Sequence, residues 1–236
     1  MRFSVFEKYN NVQYGISNRT HGPLKNFPRD DEHENVRAAR KKFLDTRNVR
    51  PAHEIFVRPV HGNKVIAVHE PQRLTKNGDA LITDRKNILL GITVADCYPI
   101  YAFDPEKNVV AIAHAGWRGV VDGIIDNLID SFLLDYASEP SNIVVGVGPG
   151  IQDCHFEIGK DVLPRFEQFA DFIRERNKHL YVDLSGIISQ QALLRGIHPK
   201  NFEMSDSCTY CDDEKFFSRR RDKDPDEVML AYIAMA

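Results

Sequence analysis

Short apolar runs separated by turn residues dominate the first half of the chain. "RFSVF" and "VQYGIS" are predicted as two short strands. "DDEHENVRAARKKFLDTR" is predicted as a helix, because its acids lead, its bases follow and "NVRP" stops it. "EIFVRPV" and "KVIAV" then read as strands on either side of "HGN", and "GDALIT" and "ILLGIT" as further strands. "PIYAFDPEKNVVAIAHA" is predicted as a hairpin turning at "DPEKN".

The period changes after that hairpin. In "VVDGIIDNLIDSFLLDYA" the residues Val120, Ile124, Leu128 and Phe132 share one helical face. "NIVVGVGPG" reads as a buried strand entering a Gly/Pro turn. "DVLPRFEQFADFIRER" and "DLSGIISQQALLRGI" are predicted as two more helices, and the tail "VMLAYIAMA" as a closing strand. The pattern gives an α/β (α+β) class: a mixed β-sheet core flanked by helices, in a single layered domain over residues 1–236, with no internal repeat or linker.

Composition narrows the function classes. The apolar fraction is 42% and the charged fraction 28%, as in ordinary globular chains, and the net charge of −3 provides no overall pull toward nucleic acid or anionic membrane. No apolar run approaches the ~18 residues of a membrane span. "MRFSVFEKYN" has no signal-peptide core, so the expected location is cytoplasmic. There the four cysteines, Cys97, Cys154, Cys208 and Cys211, read as thiols or metal ligands in preference to a disulfide framework.

Three apolar segments each end near a coordinating side chain: "RPVHG" at His61, "ITVADC" at Cys97 and "AIAHAG" at His114. Such side chains converge if their strands end at one edge of a sheet. Two imidazoles and a thiolate make a three-ligand zinc site with an open fourth position. Taken singly, each histidine also reads as structural and Cys97 as a small core residue. Cys97 with His114 alone reads as a thiolate–imidazole dyad for hydrolysis.

Neighbouring residues carry similar pairs of readings. Arg118 is a candidate for gripping a phosphate or for capping the following helical region. Asp79 and Asp96 are candidates for orienting a ligand imidazole or for capping turns. Trp117, the single tryptophan, is placed to stack on a base or to anchor the core. "HFE" at 155–157 with "CTYC" at 208–211 matches part of the H-x-E…P-C-x-x-C pattern of zinc nucleobase deaminases, with Ser207 where that pattern has proline. Cys208 and Cys211 are otherwise read as a turn packing beneath the site.

"PVHGNKV", "GDALIT", "TVADCYPI", "AIAHAGWRG", "VGVGPGIQDCHFEIG" and "CTYCDDEKFFSRRRD" follow one another in this order. Together they resemble the laccase-domain family, also called YfiH-like or polyphenol-oxidase-like, from about residue 54 to the end. The resemblance implies a zinc site of His61, Cys97 and His114. It also implies phosphorolysis of purine nucleosides (adenosine, inosine, guanosine, methylthioadenosine), with adenosine deamination besides. The implied partners are a purine nucleoside and phosphate, with no nucleic acid and no membrane. The family's older label is a copper polyphenol oxidase, so copper is the alternative metal. Several copper centres demand many imidazoles, commonly as H-x-H, and this chain has nine histidines and no such pair. A non-catalytic metal-binding protein on the same scaffold is the remaining alternative. Pro59 before "VHG", "DCHFEIG" and "FFSRRRD" depart from the usual family wording and bear on substrate preference.

Overall fold

The computed structural model describes residues 2–25, 34–70 and 76–236. In chain order the elements are β1 (Val12–Ile16), α1 (Glu34–Thr46), β2 (His53–Arg58), β3 (Val65–Ala67), β4 (Lys76–Asn77), β5 (Ala80–Thr83), β6 (Ile88–Val94), β7 (Tyr98–Asp104) and β8 (Val109–Ala115). They continue with α2 (Trp117–Val121), α3 (Ile124–Tyr136), β9 (Val144–Val147), β10 (Glu157–Ile158), β11 (Ile173–Arg176), β12 (His179–Val182), α4 (Leu184–Leu194), β13 (Phe202–Met204), α5 (Arg219–Asp222) and β14 (Met229–Met235).

Two sheets stack face to face, and each is covered by helix on its outer side. One sheet has the order β1-β14-β6-β2-β4 and the other β13-β9-β7-β8-β5-β3. Alternation along the strands assigns the layers. Val110 and Ile112 of β8 and Tyr101 and Phe103 of β7 share a core with Leu90, Ile92 and Ile233 of the facing sheet. Ala111 and Ala113 point the other way, where their small side chains let Leu128 and Phe132 of α3 and Ile187 and Ile188 of α4 approach closely. On the far side, Phe43 and Leu44 of α1 pack on Phe56, Leu89 and Tyr232. A third, small antiparallel sheet, β10-β12-β11, adds Ile158 and Val182 to the core beneath α4. The mixed α/β class expected from the pattern is therefore what the chain adopts.

The predicted hairpin is β7–β8, with Asp104 opposite Val109 and its carboxylate accepting from the amides of Glu106 and Lys107 in the turn. The tail is a strand, β14, seated between β1 and β6. Three expectations need correction, and a fourth lies partly outside the described residues. "RFSVF" is a 3-10 turn at Ser4–Phe6, because Phe3 and Phe6 bury on one side at a spacing of three. The helix expected over 120–137 is divided: α2 ends before Asp122, and Gly123, at φ 89°, starts α3 in a new direction. "DVLPRFEQFADFIRER" forms a 3-10 segment over Leu163–Phe172 and then β11. The helix expected from residue 30 begins within the described residues at Glu34, and residues 30–33 lie outside them.

Candidate metal centre

The site lies where β5 and β7 begin and β8 ends. Ala80 pairs with Ala113 and Pro99 with His114, so Asp79, Cys97 and His114 are brought to one end of the six-stranded sheet. Parity places His114 on the same side as Ile112, facing the space between the sheets, and His114 is 3% exposed. His61 joins from the turn after β2. One ligand atom each of His61, Cys97 and His114 lies within 4.8 Å of the others. The two imidazole rings meet edge to face, with centroids 4.9 Å apart at 86°.

Asp79 builds this arrangement. It is fully buried, and its carboxylate accepts from the amides of Val60 (3.2 Å), His61 (2.8 Å) and Gly62 (2.8 Å). His61 has φ 60°, a left-handed conformation that costs a side-chain-bearing residue about 1–2 kcal/mol. Three hydrogen bonds to one buried charge offset that cost. The same carboxylate lies 3.1 Å from Nδ1 of His114. A proton held on Nδ1 leaves Nε2 as the ligand nitrogen, the usual way a carboxylate fixes a metal-binding tautomer.

Two glycines of "HAGWRG" make room. A Cβ on Gly116 would lie 3.0 Å from Cys97 Sγ and 3.2 Å from His61 Cδ2, in the space where the ligands converge. A Cβ on Gly119 would lie 2.5 Å from the carbonyl oxygen of Gly62, so Gly119 lets α2 rest on the His61 turn.

Electrostatics favour the ligand form of the sulfur. Burial opposes ionisation of Cys97, but the charge and hydrogen bond of His114, with a contribution from His61, bring its thiol down to about 6. Burial likewise opposes the imidazolium of His114, but the Cys97 thiolate and the Asp79 carboxylate bring it up to about 10. Each partner thus favours the charged form of the other, thiolate on Cys97 and imidazolium on His114. A thiolate is what binds metal, and a cation entering here takes the place of the imidazolium proton. The His2Cys donor set, the tautomer fixed by Asp79 and the space left by Gly116 fit a divalent metal ion.

The other sequence candidates are placed as follows. Asp96 does not orient an imidazole. At φ 80° it turns the chain into Cys97, and its carboxylate accepts from Thr209 Oγ1 (2.7 Å) and the amide of Arg220 (2.7 Å). Asp96 therefore ties the C-terminal loop to the site. Arg118 is exposed, its guanidinium 4.3 Å from the Trp117 ring, and it makes no hydrogen bond or ion pair with the described residues. Trp117 is half-buried against Phe166, ring centroids 5.8 Å apart. His155, Cys208 and Cys211 do come together, and Cys154, which the sequence pattern does not single out, joins them.

A purine nucleoside phosphorylase of Clostridium acetobutylicum is 33% identical over 180 residues, which is 75% of either chain. A protein of an unknown prokaryote named adenosine deaminase RL5 is 32% identical over 166 residues, 67% of this chain and 62% of that one. The crystal structure of the hypothetical protein YfiH from Bacillus licheniformis superposes with a TM-score of 0.88 at 27% identity, covering 98% of this chain and 95% of that one. Residues 12–236 match the model of the family described as multi-copper polyphenol oxidoreductase laccase. With that match covering nearly all of the described chain, the chain is a member of this laccase-like, YfiH-type family.

Proposed function

We propose that this chain is a zinc-dependent purine nucleoside phosphorylase with a second, adenosine-deaminating activity, acting on soluble nucleosides and phosphate in the cytoplasm as one catalytic domain. The observation that carries the reading is the convergence of His61, Cys97 and His114 beside Asp79. The names of the relatives from C. acetobutylicum and of RL5 support the two reactions. Among the described residues no helix is long and apolar enough to cross a membrane.

His61, Cys97 and His114 would hold the zinc, leaving its fourth position open. Bound there, zinc supplies positive charge that polarises an oxygen and favours ionised water near neutral pH. Arg118, exposed and two residues beyond Gly116 in the sequence, has no hydrogen bond or ion pair with the described residues, and this supports assigning it to phosphate. In phosphorolysis an oxygen of hydrogen phosphate forms a bond to ribose C1′ while the C1′–N9 bond breaks, and the departing purine takes up the proton that the phosphate gives up. Val60, 52% exposed beside His61, offers an apolar surface for the flat base. Asp79 keeps the His114 proton on Nδ1 throughout.

Product analysis of adenosine on metal-quantified protein tests the reading. With phosphate, ribose 1-phosphate and adenine are expected. Without it, inosine is expected. Formation of neither, with phenol oxidation by copper-loaded protein, overturns it in favour of the oxidase. The closeness of Cys97 to His114, each favouring the other's charged form, supports one second reading, a Cys97 hydrolase. That reading requires activity to survive removal of metal.

A further inference from the structure

A second group of ligand-type side chains lies outside the centre just described. Cys154 and His155 sit in the loop between β9 and β10, and Cys208 and Cys211 in the loop after β13. One ligand atom from each lies within 4.8 Å of the others. Cys154 Sγ is 3.5 Å from Sγ of both Cys208 and Cys211. His155 Nδ1 is 3.3 Å from Cys154 Sγ and 3.2 Å from Cys211 Sγ. Zinc–sulfur bonds of about 2.3 Å and zinc–nitrogen bonds of about 2.0–2.1 Å at tetrahedral angles give edges of roughly 3.5–3.8 Å. Those four separations lie at or slightly below tetrahedral edges, and every pair lies within 4.8 Å. They are far wider than the ~2.05 Å of a disulfide.

We propose that Cys154, His155, Cys208 and Cys211 form a closed, four-ligand structural zinc site. Thiols are weak donors, so thiols gathered at these distances gain little from one another without a cation. Binding displaces the thiol protons to solvent and leaves three thiolates and a neutral imidazole on the metal. The surroundings hold the ligands for this. The His155 ring stacks on Tyr210, centroids 3.9 Å apart at 16°, which fixes the direction of Nδ1. The amide of Gln152 donates to Cys208 Sγ (3.4 Å). The Arg220 guanidinium donates to the carbonyls of His155 (3.3 Å) and Glu157 (3.0 Å), and the Thr209 amide to that of Gly150 (3.0 Å).

The site is closed, unlike the deaminase pattern that "HFE" and "CTYC" partly match. That chemistry needs three ligands, an open position and a free glutamate. Here Cys154 takes the fourth position, and the Glu157 carboxylate lies 2.7 Å from Nδ1 of His179. What the metal joins is plain from the topology. It would clamp the loop after β9 to the C-terminal loop, and both loops hold Asp96, through the amide of Ile151 and the hydroxyl of Thr209.

The site is independent of the reaction proposed above, and metal counting tests it. Protein made in zinc-replete medium is expected to carry about two zinc ions per chain, one for each ligand set. Cys154→Ser and Cys211→Ser should each lose one equivalent. Cys97→Ser should lose a different one, and its cobalt-substituted form should keep intense thiolate-to-cobalt absorption with tetrahedral visible bands. A wild-type content that neither Cys154→Ser nor Cys211→Ser lowers overturns the proposal, whatever Cys97→Ser does. Should the serine variants not fold, the intact chain decides. Cys154 and Cys211 are exposed and should react with a disulfide reagent at least about tenfold faster once a chelator has stripped the metal. Equal rates before and after stripping, or a disulfide found among these cysteines by peptide mapping, overturn it.

Discussion

Asp79 and His114 face each other where β5 begins and β8 ends, Oδ1 3.1 Å from Nδ1, while the same carboxylate clasps the turn that carries His61. One buried charge therefore sets both the tautomer of one ligand and the position of another. Asp79→Asn keeps the volume but weakens the acceptor and admits an N–H facing Nδ1. Metal affinity, measured by chelator competition, should fall about 10–100-fold. Asp79→Ala should also cost about 3–5 kcal/mol in a denaturant titration, because three amides lose their acceptor. Unchanged affinity in both variants would sink the assigned role.

Arg118 should separate the two proposed activities. Arg118→Ala removes charge-assisted hydrogen bonds of about 1.5–3 kcal/mol, so kcat/KM for phosphate should fall roughly 10–100-fold. Inosine formation without phosphate should change by less than about twofold, and Arg118→Lys should recover part of the phosphate term. Equal losses in both reactions would place Arg118 elsewhere in the mechanism.

Cys97 should be reactive when the metal is absent. With its thiol down at about 6, alkylation of metal-stripped protein at this residue should be near its maximum at pH 7 and decline as pH falls through about 6. Peptide mapping of iodoacetamide adducts across pH reads this residue by residue. A profile rising only above pH 8 would mean that the imidazoles do not stabilise the thiolate.

Acid sensitivity should trace to Asp222. Burial opposes its ionisation, but hydrogen bonds from Arg221 and the Ser218 amide, with the charges of Arg221 and Arg19, hold its carboxyl down to about 2. A depressed carboxyl stabilises the fold above its unfolded pKa near ~3.9 and ceases to do so as pH falls through the folded value. Asp222→Asn should therefore lower the Tm by a constant amount above about pH 5, and the gap should close toward pH 2. A gap that widens on acidification contradicts the assignment.

The parts legible in the sequence are those with an unambiguous period. β14 is an unbroken apolar run, β7 and β8 are apolar up to Asp104 and His114, and His61, Cys97 and His114 stand at or just beyond the end of an apolar segment. Segments with a period of three mislead. Leu163, Phe166, Phe169 and Phe172 look helical by spacing, but they lie along two short 3-10 turns that meet in a kink at Phe169, φ −119°. β11 buries little, with Arg174, Glu175 and Arg176 all exposed, so its alternation is invisible. Cys154 and His155 carry no local sign of their partners, which arrive from more than fifty residues away through the bridge between Gly150 and Cys208.

The place of β14 also governs when the protein can become itself. β14 hydrogen-bonds to β1 on one side and β6 on the other, so an interior place in the five-stranded sheet is filled by a segment synthesised long after its neighbours. Thr209 and Arg220, which steady Asp96 beside Cys97, are also late arrivals. On a ribosome, β1 and β6 would wait as exposed edges while the rest of the chain is made, a state that invites mispairing and chaperone attention. Completion of the metal centre would then follow translation: Asp79 can hold His61 and His114 early, but the turn that carries Cys97 gains its ties to Thr209 and Arg220 only once the C-terminal loop has folded back.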